Sequence, residues 1–234
     1  MPLSAAVTEA RQRGFSLLAG NGIEVGALHE PAAVPAAQRI TYVDAISREQ
    51  AKALFAEVDP SLFVDPEVII DLDRDGLRPF SDESLDFIVM CHVLEHLANP
   101  IQTIAEVFRV LRPQGRAALA IPDKRYTFDR PRAITPFVHV WTDYLHAVEE
   151  SSDEHYLDFL AATTDFITKL SPAEQAEHIA RAKARREHSH VWDSDAFREL
   201  LLLALPLTGC RAIPRFESFG EGNQFEYFGV WEKR

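Results

Sequence analysis

Five short apolar runs, separated by segments with helical patterns, constrain the fold of this chain more than any other feature. The runs are 22–26, 40–44, 68–71, 85–91 and 116–121. Near-continuous apolar character is typical of parallel strands that are buried on both faces. Strands that alternate with helices indicate βαβ units. The sequence therefore predicts an α/β fold, doubly wound around a mostly parallel sheet.

Helix caps mark the connections between these runs. Ser47 and Gln50 fit a capping box, and Asn99-Pro100 supplies an N-cap followed by a proline at the first helical position. Further helix starts at Thr135, Ser151 and Ser171 predict three consecutive helices with no strand between them. This helical insert, 135–190, follows the fifth strand.

The end of the chain has two more strand-like runs, 212–219 and 224–231, separated by 220–223. A glycine-rich spacer of this length is a hairpin signal, so these strands are predicted to be antiparallel neighbours. The complete prediction is a seven-stranded Rossmann-like sheet with a C-terminal antiparallel hairpin. A length of 234 residues fits a single domain, 1–234.

The net charge and the hydropathy of the chain argue against two classes of binding partner, nucleic acids and membranes. A net charge of −12 argues against tight nucleic-acid binding, and the basic stretch 181–186 is predicted to be the solvated end of a helix. No apolar run approaches the roughly 20 residues that span a bilayer. Glu9, Arg11 and Arg13 lie where a secretory signal would be apolar, so we expect a cytoplasmic protein.

Small and acidic residues follow the first three predicted strands. Ligands of open α/β sheets bind beyond the carboxyl ends of the strands. Gly26 and Ala27 let backbone amides approach a ligand, and Asp44 is placed to accept hydrogen bonds from ribose hydroxyls. Asp71 and Asp73 could accept from an adenine amine, although each acid alone could equally cap a helix. The G-x-G-x-x-G motif of an NAD site is absent.

Three motifs carry a family resemblance. The motifs are those of class I S-adenosylmethionine-dependent methyltransferases: residues 23–26 resemble the family's first motif, 79–97 its fourth-strand region and 106–115 the helix that follows. The resemblance covers roughly 22–123. It implies S-adenosylmethionine as cofactor. The resemblance implies that Glu24 and Gly26 bind the methionine part and that Asp44 binds the ribose. It implies that Asp71, Leu72 and Asp73 bind the adenine. Cys91 and His92 are implied to lie beside the sulfonium.

The first loop departs from the family pattern. Leu28 and Glu30 replace its later glycines, and the loop turns through Pro31 and Pro35 instead of opening a long helix. This departure leaves open a second interpretation, in which the chain is a catalytically inactive binding or partner subunit with the methyltransferase fold.

Candidate acceptor residues lie after the fifth strand and in the insert 135–190, which we expect to cap the acceptor site. Lys124 and Arg125 suit an anionic acceptor, because a guanidinium matches two oxygens of a carboxylate or phosphate. Aromatic residues concentrated on the insert either form the core of the cap or line a pocket. The predicted substrate-binding residues are Lys124, Arg125, Tyr126, Tyr144 and Trp192.

Three histidines are candidates for the general base that a protonated acceptor requires. His188 and His190 alternate in one segment, and His139 lies one helical turn from Asp143. A metal-assisted enzyme using His188, His190 and Asp193 is a further alternative, but no additional ligand is visible nearby and no metal site is predicted. His96 and His155 are predicted to have structural roles.

Together these patterns predict a methyltransferase. We expect it to transfer a methyl group from S-adenosylmethionine to an oxygen or nitrogen atom of a small polar or anionic acceptor. Neither nucleic acid nor a membrane is expected as a partner, and the sequence leaves a homodimer open.

Overall fold

The computed structural model describes residues 3–234. Its strands are β1 (Ala19–Val25), β2 (Ala36–Asp44), β3 (Val68–Ile69), β4 (Leu85–Cys91), β5 (Leu111–Pro122), β6 (Ala212–Ser218) and β7 (Glu226–Lys233). They form one sheet in the order β3-β2-β1-β4-β5-β7-β6. Strands β1 to β5 pair in parallel, and β7 pairs antiparallel with both β5 and β6. The predicted fold class is confirmed.

Helices cover both faces of this sheet. They are α1 (Ala5–Phe15), α2 (Arg48–Leu54), α3 (Leu72–Asp75), α4 (Pro100–Val110), α5 (Phe137–Leu145), α6 (Asp153–Thr163), α7 (Pro172–Arg185), α8 (Ser194–Leu207) and α9 (Gly220–Asn223). The capping box at Ser47 and the Asn99 cap are both formed. The predicted spacer 220–223 is the short helix α9, so the last two strands are joined by a helical turn. No helix of the described residues combines the length and apolar character needed to cross a membrane.

Two apolar layers enclose the sheet. One contains Ile23, Phe108 and Leu201, packed between the sheet and helices α4 and α8. The other contains Phe15 of α1 and Phe228 of β7. Because both faces are buried, the near-continuous apolar runs of the central strands are accounted for. The insert has a smaller apolar cluster of its own around Tyr156, Phe159 and Ile167.

The loop between β1 and β2 has no helix, as its prolines predicted. The buried carboxylate of Glu24 accepts a hydrogen bond from the Ala32 N–H, at 2.9 and 3.0 Å to its two oxygens. The Leu28 carbonyl accepts from the Val64 N–H at 2.8 Å. These bonds hold the loop beside the sheet edge, and they satisfy backbone groups that a helix would otherwise pair.

The insert contains the three predicted helices, α5, α6 and α7, and the end of α7 returns to the sheet. Arg185 donates to the Leu54 carbonyl at 2.7 Å and pairs with Glu57 at 2.8 Å. Arg186 pairs with Asp71, just beyond β3. The basic stretch is therefore the end of a helix, as predicted, but two of its cations attach the insert to the loops beside β2 and β3.

Candidate active site

A cavity of about 360 Å³ opens at the carboxyl ends of β1, β2 and β4. The loops after these strands and the end of α7 line it. Among the lining residues are Glu24, Gly26, Ala27, Asp44, Leu72, Cys91, His92, His96 and Arg186. This is the edge at which open α/β sheets bind their ligands. The end of α7 in the insert therefore closes over this cavity, whereas the sequence analysis predicted that the stretch 181–186 would be solvated.

Gly26 forms the turn out of β1 at the cavity wall. Its φ is +71°, and an added Cβ would lie 2.8 Å from a methyl carbon of Val93. Its N–H donates to the Val43 carbonyl at 2.9 Å. Both the backbone conformation and the close approach to Val93 require a residue without a side chain.

His92 follows β4 directly and also has a left-handed backbone, with φ +58°. Its Nε2 lies 2.7 Å from Glu226 Oε2, and its ring stacks on Phe225. Arg11 binds the same carboxylate through two N–H groups, at 2.9 and 2.7 Å. Burial opposes the charge on Glu226, but the bonds from Arg11 and His92 lower its pKa. A non-glycine residue at positive φ is uncommon and marks a constrained site.

Neither Arg11 nor Glu226 was predicted as a site residue. They lie 215 positions apart, on α1 and β7, and only the folded sheet brings them to His92. No local motif signals such a pair.

Asp44 and Glu24 supply acids to the cavity wall. Asp44 is half-buried at the end of β2, and its Oδ1 accepts from the Ile46 N–H at 3.3 Å. Burial raises the pKa of Asp44, although bonds from Ile46 and Ala45 oppose the rise. Burial raises the pKa of Glu24 to about 7 against the opposing effects of Ala32 and Arg11. Burial also raises the pKa of the Cys91 thiol, so a neutral thiol faces the cavity.

The acids after β3 lie differently from the expectation that they contact adenine. The Asp73 carboxylate accepts from the N–H groups of Ala98 and Asn99 at 3.1 and 3.0 Å, ahead of α4. Asp71 caps α3 and pairs with Arg186. Free N–H groups at a helix start need acceptors, and Asp73 supplies them here. Of these three predicted residues, only Leu72 lines the cavity.

One group of ionisable residues, which we call the cavity-side cluster, comprises Glu95, His96 and His188. Glu95 is 1% exposed, and neither carboxylate oxygen has a hydrogen-bond partner among the described residues. Its Oε1 lies 3.7 Å from His92 Nδ1 and from His96 Nε2. Burial raises the pKa of Glu95.

His188 stands behind His96, with the two ring centroids 4.7 Å apart. Its Nδ1 lies 2.6 Å from Asp129 Oδ2, and Arg132 holds the other oxygen of Asp129 at 2.8 Å. Burial opposes the charged ring, but Asp129 and Glu95 outweigh it and raise the pKa of His188. The partner at Nδ1 orients the ring and leaves Nε2 as its other polar atom.

His139 and His190 belong to a separate group, which we call the insert cluster, together with His155. None of the three lines the cavity. Asp193 caps α8 by accepting from the Ala196 N–H at 2.8 Å. His188 and His190 thus face different clusters, and Asp193 faces neither, so the metal ligand set considered in the sequence analysis is not assembled.

The predicted acceptor residues are largely engaged elsewhere. Arg125 pairs with Asp123 at 2.7 Å and with Glu221 at 3.0 Å, since the buried Asp123 needs a counter-charge. The Lys124 ammonium donates to the Arg130 carbonyl at 3.0 Å. Trp192 is buried against Phe197 in the core.

Two tyrosines complete the predicted acceptor set. Tyr144 stacks on Trp141, with ring centroids 5.1 Å apart, and Tyr126 is exposed. Neither these tyrosines nor Lys124, Arg125 and Trp192 line the cavity. Sequence reasoning named neither Arg186 nor His96 as a site residue, and both line the cavity. It also missed Glu95 and Asp129, whose carboxylates lie beside His96 and His188.

The sheet order, with its antiparallel seventh strand and the cavity at the carboxyl ends, defines a Rossmann-like methyltransferase fold. Residues 17–119 match the family described as "Methyltransferase domain". This match confirms the sequence resemblance to class I S-adenosylmethionine-dependent methyltransferases. At the level of the family, S-adenosylmethionine is confirmed as the cofactor.

Two curated proteins share sequence with this chain. A 37.1 kDa uncharacterised protein of transposon TN4556 from Streptomyces fradiae is 31% identical over 132 residues, 55% of this chain and 36% of that protein. A protein of Mycolicibacterium smegmatis named as a probable S-adenosylmethionine-dependent methyltransferase is 41% identical over 71 residues, 30% of this chain and 27% of that protein. The match thus spans about a third or less of these relatives.

Among solved structures, the chain is similar to a 1,6-didemethyltoxoflavin-N1-methyltransferase of Burkholderia thailandensis, solved with bound 1,6-didemethyltoxoflavin and S-adenosylhomocysteine. The TM-score is 0.50 at 12% identity, covering 98% of this chain and 78% of that one. At this identity the likeness concerns the fold alone.

Proposed function

We propose that this chain binds S-adenosylmethionine in the cavity and transfers its methyl group to an oxygen or nitrogen atom of a small polar acceptor. The observation that carries the proposal is the meeting of three strand ends around one cavity, through Gly26, Asp44 and His92. A volume of about 360 Å³ lies within the range of about 300–1,000 Å³ for small-molecule sites.

The lining residues fit this cofactor. Gly26 leaves the wall open beside β1, and Asp44 offers a carboxylate to the ribose hydroxyls. Leu72 supplies an apolar contact for the adenine. Glu24 brings an acidic group to the cavity wall, where it would face the ammonium group of the cofactor. Glu95 stands behind the wall, with its Oε1 3.7 Å from His92 and from His96. The helix-free loop after β1 is held aside by Glu24, which supports an open binding site over the alternative of an inactive subunit.

The bound cofactor supplies an activated methyl group, and the protein aligns the acceptor behind it. Alignment of this kind lowers the activation free energy by about 7–11 kcal/mol. Asp129 orients His188 through Nδ1, so that Nε2 would take the proton released by an O–H or N–H acceptor. His188 is thus the general base we propose. Its ring stands directly behind His96, which lines the cavity, whereas His190 and His139 belong to the separate insert cluster.

The acceptor we propose carries hydrogen-bond donors. Within residues 3–234 the buried Glu95 carboxylate has no hydrogen-bond partner, and buried polar atoms are almost always paired. Lys124 and Arg125, which would favour an anion, already have partners within the chain. An amine or a hydroxyl compound therefore fits the site better than a carboxylate or phosphate.

Calorimetric titration with S-adenosylmethionine tests the donor half of the proposal. Asp44→Ala should weaken binding by about 1.5–3 kcal/mol, the scale for a hydrogen bond to a charged group. Asp65→Ala, at an exposed acid on the neighbouring loop, is the matched control and should change nothing. A wild-type chain that binds neither S-adenosylmethionine nor S-adenosylhomocysteine would instead be the inactive subunit.

Transfer of a labelled methyl group to a panel of compounds tests the acceptor half. We expect incorporation into amines or hydroxyl compounds. Labelling confined to carboxylic acids or phosphates would contradict the role of Glu95 and restore the anionic acceptor.

A further inference from the structure

The insert cluster joins three segments that lie far apart in sequence. His139 and Asp143 lie one turn apart on α5, His155 lies in the first turn of α6, and His190 lies in the segment before α8. One ligand atom from each histidine lies within 4.8 Å of the other two. Sequence spacing gave no sign of this convergence, because no two of the histidines are close enough to form a local motif.

The cluster holds more unsatisfied polar atoms than a packed interior tolerates. His190 is 1% exposed, and neither ring nitrogen makes a hydrogen bond of normal geometry with any described residue. The Oδ2 atom of Asp143 is likewise buried and without a partner. Buried polar groups that lack partners need an explanation, and an ion is one of the few available.

The distances fit a tetrahedral ion. His139 Nε2 lies 3.0 Å from His155 Nε2 and 3.3 Å from Asp143 Oδ2. Ligand atoms that surround Zn²⁺ at its usual bond lengths stand about 3.3 Å apart. A small movement of the His190 ring would complete a ligand set of three imidazoles and one carboxylate.

A residue beyond the ligands orients one ring. The Ser152 hydroxyl lies 2.9 Å from His155 Nδ1. With the Nδ1 hydrogen donated to that hydroxyl, the lone pair of His155 Nε2 points toward His139. Metal-bound histidines are usually held through their second nitrogen in this way.

We infer that His139, Asp143, His155 and His190 form a structural site for a divalent transition metal of the zinc class. The ion ties α5, α6 and the segment before α8 into one unit. His188 lies two residues before His190, so the site also fixes the chain that carries the proposed base. Four protein ligands leave no open position, which is the pattern of a structural site and not of a catalytic one.

Metal analysis of the intact protein tests this inference. Protein purified without chelator should contain about one zinc-class ion per chain. After the metal is stripped, Co²⁺ should bind with the strong visible absorption of tetrahedral coordination. His139→Gln should weaken Zn²⁺ binding by more than about 100-fold, since loss of even an outer partner costs about 10–100-fold. Ser152→Ala removes only an outer partner, so it should weaken Zn²⁺ binding by about 10–100-fold.

Two matched variants serve as controls. His146→Gln, at an exposed position directly after α5, should leave Zn²⁺ affinity unchanged. His188→Gln, in the cavity-side cluster, should also leave it unchanged. Bound zinc should raise the melting temperature of the wild type but not of His139→Gln, because only the wild type binds metal in its folded state.

Three results would overturn the inference. One is a wild-type affinity for Zn²⁺ no greater than that of His139→Gln. Another is an equal loss in His146→Gln. The third is a loss that follows His188→Gln, which would assign the ion to the cavity-side cluster. Each readout is independent of methyl transfer, so failure of the proposed function leaves the test intact.

Discussion

The donor region, residues 17–122, and the insert, residues 135–190, place their polar groups by different means. Around the cavity, Gly26, Asp44 and His92 each lie at the end of a strand or directly after it. In the insert, polar groups meet across long separations, as the Ser151 hydroxyl meets the Ser189 hydroxyl across 38 positions. Sheet topology alone fixes the first set, whereas the second depends on how helices and ion pairs pack. The two regions should therefore respond differently to substitution.

Replacement of the proposed base should have the largest effect. His188→Gln should lower kcat by about 10²–10⁴-fold, the usual contribution of general acid–base catalysis. The affinity for S-adenosylmethionine should stay within about twofold, because His188 does not line the cavity. Steady-state kinetics with an acceptor found by the labelling panel, and calorimetry for the donor, give the two readouts.

His146→Gln is the control for this substitution, and melting temperatures check that both variants fold. A parallel loss of donor affinity in His188→Gln would show that the insert and the donor region act as one site. The prediction that the two regions respond differently to substitution would then be wrong.

Cofactor binding should depend on pH through Glu24. Burial raises the pKa of Glu24 in the free protein to about 7. A cationic ligand favours the ionised form, so binding releases a proton below that pH. Affinity should rise with pH by up to about tenfold per unit below pH 7 and level off above it. Titrations between pH 5.5 and 8.5 measure the slope.

Other groups near Glu24 define the control. Arg11, Tyr42 and Cys91 interact electrostatically with it, and none is expected to change charge in this pH range. Glu24→Gln should flatten the pH dependence. An unchanged slope in that variant would assign the titration to another group at the cavity.

Arg186 is the sharpest test of the junction between the two regions. Arg186→Met removes the ion pair with Asp71 that holds the end of α7 over the cavity. S-adenosylmethionine should dissociate about tenfold faster, since a partly buried ion pair contributes on the order of 1–2 kcal/mol. Stopped-flow displacement measures the rate.

Arg181→Met, at an exposed cation of α7 five residues before Arg186, should leave the dissociation rate unchanged. Equal rates in wild type and Arg186→Met would mean that the insert does not retain the cofactor.

The same contrast explains which features the sequence could predict. The strand runs, the caps at Ser47 and Asn99 and the three helices of the insert follow from local patterns, and the structure contains them. The spacer 220–223, predicted as a hairpin turn, is the short helix α9. The positions of Gly26, Asp44 and His92 at one edge follow from the parallel order of the strands. The role of Asp73 could not be predicted, because an acid after a strand suits a ligand and a helix start equally well.

The contacts of the insert could not be predicted for a different reason. Charge composition suggested that Arg125 was available to a substrate, but the buried Asp123 binds it. His155 looked structural because its partners, His139 and His190, lie on other elements. Packing decides such pairings, and a single sequence contains no signal for them.

The smallest expected effect concerns Lys124, which the sequence favoured as an anion-binding residue. Its ammonium already donates to the Arg130 carbonyl. Lys124→Met should therefore raise the KM for the acceptor by less than about threefold, the scale of a weak surface charge interaction. Lys169→Met, at an exposed lysine of the insert, is the control.

Loss of a direct bond to an anionic substrate would instead raise the KM by about 10–150-fold, since such bonds contribute about 1.5–3 kcal/mol. A rise of that size, sensitive to salt, would return the acceptor to the anionic class and give the loop after β5 a role in binding that its internal hydrogen bonds now argue against.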